Sequence, residues 1–427
     1  MSSGRTARWS DLSLELWVNI LSRLEDNVDP KFAWDSWICL KGFAQMRSNM
    51  QKLRLVCTKF NTAFDDAQLS RSVFLRKDFA NRNLPSLLQW LHRQRTSLRL
   101  LQVDDGSPNV EAALAALVCP GTQLALVFIA NISAAAVHIL PCHTGLHSIN
   151  IGSESSECID LTPLAVLPDL GKLIISTGQF KCSEPLSHLT NLQLSRSTLT
   201  TTPANCFLKL LKLRLEGSHC KWPGPGLAAC HNLKELTLRN CGIEASHDAD
   251  QLELRYDLLA RVPTVMSALT QLTKLDVTFD VDYLDDMEFL WLASLVSLKE
   301  LGFHGHATDG MDLPHEVSDL TNLTKLWLTM GGLDDAAESM EVQINWQDMR
   351  ALKWLCIGPG LFTFDSDLLQ LVGCTSLKTL HFYGVRPDST TAESAKFFGA
   401  LIGILAVQRP DVELCLDQVQ VSHMHQI

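Results

Sequence analysis

The chain has 427 residues, of which 46% are hydrophobic, 19% charged and 7% aromatic. That composition excludes a disordered chain and supplies a large core, but the length exceeds one ordinary compact domain unless the chain is repetitive. A net charge of −11 argues against a nucleic-acid partner, and 13 cysteines without Cys-x-x-Cys spacing argue for free thiols in a reducing compartment.

The opening "MSSGRTARWS" has no apolar stretch of the kind a secretory signal needs, which places the expected compartment in the cytoplasm or nucleus. "WSDLSLELWVNILSRLED" (9–26) follows. Leu12, Leu16, Ile20 and Leu24 recur every four residues beside Trp17 and Leu21, which makes one apolar stripe on a helix. Ser13 and Glu15 suit its first turn. A second helical stripe carries Leu53, Val56, Cys57, Phe60 and Phe64. Between the two, residues 29–49 are expected to be helical in part.

These two stripes resemble an F-box. Leu12, Glu15, Ile20, Leu21 and Leu24 match its first part, and Leu53, Val56, Cys57, Lys59 and Phe60 match its second. The sequence departs from the family at Ser13, where Pro is usual, and in the long interval from Leu24 to Val56. The resemblance implies that residues 9–67 dock a Skp-type adaptor of a cullin complex. The docking set it implies is Leu12, Glu15, Leu16, Ile20, Leu21, Leu24, Leu53, Val56, Cys57 and Phe60. Residues 68–96 are expected to form a helical linker or N-terminal cap.

From residue 98 onward an L-x-x-L-x-L triplet repeats. Its clearest copies are "LKELTL" (233–238), "LTKLDV" (272–277), "LKELGF" (298–303), "LTKLWL" (323–328), "LKWLCI" (352–357) and "LKTLHF" (377–382). Twelve first anchors run from Leu98 to Leu377 at steps of 19–29 residues, with a single step of 39. One repeat cannot bury its apolar face alone, so stacked copies share a continuous core behind side-by-side parallel strands. The pattern resembles the leucine-rich repeat family over about 97–385, followed by a C-terminal cap and tail over 386–427. The expected fold class is therefore α/β: a leucine-rich repeat solenoid, with parallel strands on its concave face, preceded by a small helical module.

Residues 112–153 contain no Asp, Glu, Lys or Arg, but "CPG" and "LPC" interrupt them, so they read as repeat core and not as a membrane span. His138, Cys142, His143 and His147 have ligand chemistry at close spacing, yet they fall across Pro141 within the repeat core, and a structural role is expected. The acidic run "DVTFDVDYLDDMEFL" lacks the glycine of a calcium loop. With no phosphate loop, nucleophile elbow or zinc helix, the expectation is a protein without catalysis, metal or cofactor.

Alternation along each strand sends the triplet leucines inward and their neighbours outward. The expected client-binding row is Arg239, Asp276, His304, Trp327, Trp354, His381 and Tyr383, because Trp, Tyr and Arg favour binding hot spots. Residues 1–100 carry 16 Lys/Arg against 9 Asp/Glu, whereas 101–427 carry 20 against 38. That split suggests a client with a basic patch and an acidic adaptor. An F-box followed by such repeats resembles the substrate receptors of SCF-type ubiquitin ligases, in a style common in the green lineage. The alternative is an intracellular scaffold on cytoskeleton or axoneme. Neither reading calls for a membrane or nucleic acid.

Overall fold

The computed structural model describes residues 72–75, 84–103, 110–199, 206–217, 227, 229–239, 265–280, 289–306, 315–331, 344–358, 360–362, 366–383, 385–387 and 392–417. The F-box-like segment 9–67 lies outside them. The chain divides into two compact units, residues 1–154 with 163–171, and residues 155–162 with 172–427.

In the first unit, β1 (Ser72–Leu75) precedes helix α1 (Leu84–Gln94), and β2 (Leu100–Val103) precedes α2 (Val110–Leu117). Then come β3 (Leu126–Ile129), α3 (Ala134–Ile139) and β4 (Ser148–Ile151). Each strand pairs in parallel with the next, β1 with β2, β2 with β3 and β3 with β4. The stretch expected as a helical linker thus holds a strand as well as a helix. "SVFL" is short and rich in β-formers, and β2 offers it a parallel neighbour. Ser133 caps α3 by accepting from the Ala136 amide at 3.1 Å. Val110, Ala113, Leu114 and Leu117 of α2 are buried, the last three of them within the charge-free run.

The second unit contains β5 (Ile159–Asp160), β6 (Lys172–Ile175), β7 (Gly178–Lys181), β8 (Asn191–Ser195), β9 (Ser197–Leu199) and β10 (Lys212–Glu216). It continues with β11 (Glu235–Arg239), β12 (Lys274–Asp280), β13 (Glu300–His306), β14 (Lys325–Gly331) and β15 (Trp354–Ile357). It ends with β16 (Gly360–Phe362), β17 (Thr379–Tyr383), β18 (Val385–Pro387), α4 (Ala392–Gln408) and β19 (Glu413–Asp417). The main parallel sheet of this unit runs β6-β8-β10-β11-β12-β13-β14-β15-β17-β19. Two small parallel sheets, β5-β7-β9 and β16-β18, form in the return segments. Among the described residues, 3-10 helices also lie in return segments, at Phe289–Ser294, His315–Asp319 and Ser366–Gly373.

The repeat explains this architecture directly. All twelve first-anchor leucines are at most 2% exposed, and each full burial contributes on the order of 1.5–3 kcal/mol. A tight turn leads into each strand. The amides of Leu233, Leu272, Leu298, Leu323, Leu352 and Leu377 donate to the carbonyl three residues earlier at 2.9–3.1 Å. Those earlier residues are Cys230, Leu269, Leu295, Leu320, Met349 and Cys374, all buried. The fold is that of a leucine-rich repeat solenoid. At its last strand, Leu414 is half-buried and Leu416 is 48% exposed, whereas their in-register neighbours Leu380 and Phe382 are fully buried.

Candidate functional site

Because the main-sheet strands from β6 to β17 each start two residues after a first anchor, outward side chains align in rows across the sheet. The first row runs Lys212, Glu235, Lys274, Glu300, Lys325, Trp354, Thr379 and Glu413. Its charges alternate and pair with one another: Lys212 to Glu235 at 2.7 Å, Lys274 to Glu300 at 3.4 Å, and Lys325 to Glu300 at 2.7 Å. Burial raises the Glu300 pKa, but the two flanking lysines outweigh it and hold the carboxyl below its ordinary value.

The second row runs Arg214, Thr237, Asp276, Gly302, Trp327, Cys356, His381 and Cys415. Two residues further along the strands, Glu216 faces Arg239, Thr278 faces His304, His304 faces Thr329, and Tyr383 faces Asp417. Here three of the expected client residues meet. Arg239 donates to Asp276 through both Nε, at 3.2 Å to Oδ1, and Nη2, at 2.6 Å to Oδ2. His304 Nε2 lies 3.2 Å from Asp276 Oδ1, while its Nδ1 contacts the Thr329 hydroxyl. A ring with its proton on Nε2 donates to the carboxylate and accepts from the threonine, so both nitrogens are used.

The Asp276 side chain is only 15% exposed. Burial alone would raise its pKa. The hydrogen bonds and charges of His304 and Arg239 reverse that and pull it down to about 2. The bond to Asp276 correspondingly raises the Arg239 pKa. The knot exists because Gly302 occupies the row between Asp276 and Trp327. A β-carbon there would lie 3.0 Å from His304 Nε2 and 3.4 Å from Asp276 Cγ.

Beyond the glycine lies an aromatic pair. Trp327 and Trp354 are both half-buried, with ring centroids 4.6 Å apart and planes tilted by 51°. The Lys325 ammonium sits 6.0 Å from the Trp327 ring centroid, at the outer range of a cation–π contact. Further along, His381 Nε2 lies 2.9 Å from Asp417 Oδ2 and packs edge-on to Tyr383 at 6.2 Å; Tyr383 is 41% exposed. The seven expected residues therefore form three groups: Arg239 with Asp276 and His304, Trp327 with Trp354, and His381 with Tyr383. Sequence reasoning missed Gly302, Glu300, Lys274, Lys325, Thr329 and Asp417. An in-register alignment of the triplets would have exposed the glycine, since it is the one position of this row without a side chain.

On the described part of this face Lys212, Lys274, Lys325, Arg214 and Arg239 are each paired with a carboxylate, and Glu413 of the first row is exposed. The ten adaptor-docking residues fall outside the described residues. Of the His/Cys cluster, His143 is fully buried, and that burial lowers its pKa, whereas Cys142 is exposed. Among the described residues no group of three His, Cys, Asp or Glu side chains is placed to hold a metal ion, and no helix is long and apolar enough to cross a membrane.

No protein-family model matches the sequence, and no curated protein matches it. Solved structures do. An internalin from Listeria monocytogenes is 18% identical with a TM-score of 0.41, covering 79% of this chain and 89% of its own. A leucine-rich repeat protein of Leptospira interrogans is 16% identical with a TM-score of 0.42, covering 84% of this chain and 92% of its own. A plant peptide hormone receptor in complex with RGF2 is 14% identical with a TM-score of 0.33, covering 68% of this chain and 52% of its own.

Proposed function

We propose that the protein is a non-catalytic receptor that holds a client protein on the open face of its second unit and a Skp-type adaptor on residues 9–67. In this reading it is the substrate-recognition subunit of an SCF-type ubiquitin ligase, and ubiquitin transfer to the client is accelerated by proximity alone. The observation that carries client binding is the half-buried Trp327–Trp354 pair beside a floor of glycine and internally paired charge. Such a surface offers a partner apolar area without stripping unpaired charges of water. The adaptor half rests on the two-part motif of residues 12–60.

Both halves are tested on the purified full chain. The wild type is expected to bind a Skp-type adaptor, and the Ile20→Asp, Leu24→Asp variant is expected not to. Equal behaviour of the two, or no binding by either, removes the ligase reading and leaves the cytoskeletal or axonemal scaffold. For the client half, proteins enriched by the wild type in a reducing extract are expected to be lost from Trp327→Ala, Trp354→Ala. An unchanged set refutes that role for the face.

A further inference from the structure

The edge at which the strands of the second unit begin carries a different chemistry from its open face. The residue immediately before each strand's first outward position also aligns in register. The series is Leu211, Lys234, Thr273, Lys299, Thr324, Lys353 and Lys378. The alignment is fixed by the main chain, since each residue's amide donates to the carbonyl of the one before it at 2.8–2.9 Å. Lysine and threonine alternate along this edge. The threonine hydroxyls of Thr273 and Thr324 turn back onto the carbonyls of Lys234 and Lys299, at 3.0 and 2.9 Å.

The lysines project from that edge. Lys234, Lys299, Lys353 and Lys378 are exposed. In the adjoining first row Glu235 is bonded to Lys212, and Glu300 is shared between Lys274 and Lys325, so those carboxylates are already neutralised. Lys378 shares Asp411 with Arg409, at 3.1 and 3.0 Å. The turns that lead into these strands add exposed His231 and Arg350 and, two residues before that position in the turn, exposed Asp319 and Asp348. Lys234, Lys299 and Lys353 thus form a basic series along this edge, which ends at Lys378 with its Asp411 pair and the exposed Glu413.

We propose that this edge binds an acidic α-helix of a protein partner, laid across the strand starts. Neighbouring strands are about 4.8 Å apart, so Lys234, Lys299 and Lys353 follow one another at about 10 Å and Lys378 comes about 5 Å later. Carboxylates at i, i+7, i+14 and i+18 of a helix fall at about 0, 10, 21 and 27 Å along one stripe, which matches both intervals within the reach of a lysine stem. An extended chain repeats on one side every 6–7 Å or so, which fits the interval of about 5 Å but fits the repeated intervals of about 10 Å less closely than the heptad step does.

The proposal concerns an edge separate from the client face. The probe is a fluorescent helical peptide with glutamates at those four positions, titrated into the full chain in low salt and followed by anisotropy. It is expected to bind at least about tenfold more tightly than a peptide of the same composition with its glutamates scattered around the helix, and to weaken as salt screens the contact. The Lys234→Glu, Lys299→Glu, Lys353→Glu protein is expected to lose that binding. If circular dichroism shows that protein misfolded, the corresponding Gln variant carries the test with the same expectation. No binding, equal binding of the scattered peptide, or undiminished binding by the folded variant overturns the proposal, the second of these pointing to a general polyanion surface. Trp327→Ala, Trp354→Ala is expected to bind the peptide like the wild type, so a failure here and a failure of the client face are distinguishable.

Discussion

Replacing Asp276 with Asn removes one charge from the Arg239–Asp276–His304 knot while keeping the side chain's size. The carboxyl has a folded-state pKa of about 2 against an ordinary value of 3.8. A depressed pKa means the ionised form is stabilised by folding. That stabilisation is therefore fully present above pH 4 and is lost as pH falls towards 2. A shift of this size corresponds to about 2 kcal/mol at pH 7 and roughly half of that at pH 3. The side chain is largely shielded from solvent, so the conversion needs little discount for screening. Urea unfolding of the wild type and Asp276→Asn at pH 7, 5, 4 and 3 measures the difference. Asn is expected to be less stable by about 2 kcal/mol at neutral pH, with the gap narrowing only below pH 4. A gap that stays constant to pH 3, or no gap at pH 7, refutes the claim that an ionised Asp276 holds the knot together.

Gly302→Ala perturbs the same knot by shape. The new β-carbon crowds His304 Nε2 at 3.0 Å, and moving the imidazole is expected to destabilise by on the order of 1–3 kcal/mol. Combined with Asp276→Asn it should add less than the sum of the two singles, and full additivity would show that the glycine acts elsewhere. Thiol reactivity tests the burial pattern. Burial pushes Cys230 and Cys356 up to about 11, the former aided by nearby Cys206, whereas Cys142 and Cys158 are exposed. Brief maleimide labelling at pH 8, read by peptide mass spectrometry, should modify Cys142 and Cys158 and spare Cys230 and Cys356. Comparable labelling at all four would contradict the packing of the repeats.

The leucine triplets were legible because burial demands the same residue type at the same place in every repeat, and the anchors are all buried. The return segments were not. "GQFK" and "STL" have no alternation to mark them as β7 and β9, and they are strands because copies stack in register next to each other. A fourth repeat position is the buried residue three before the first anchor, which includes His143, Leu186, Phe207, Cys230, Leu269, Leu295, Leu320, Met349 and Cys374, too varied in type to be legible. On the open face, outward positions could be named one at a time, but their partners could not. Arg239 and Asp276 are 37 residues apart. They meet only because strict register would place Thr237 opposite Asp276, leaving the longer arginine to reach diagonally.

That diagonal reach bears on function through charge. Counting acids and bases along 101–427 predicts an acidic surface, yet a parallel stack brings residues about 25 apart in sequence to within one strand spacing. Lysine opposite glutamate in successive triplets then cancels across the sheet, as at Lys274, Glu300 and Lys325. The same register leaves a position uncancelled when its alternate member is neutral, as the threonines do between Lys234, Lys299 and Lys353. From β11 to β14, two adjacent rows in which glutamate or threonine alternates with lysine thus become a charge-paired face and a basic edge. In a solenoid, partner chemistry is set by what repeats beside what, and the net charge of the chain is a poor guide to either surface.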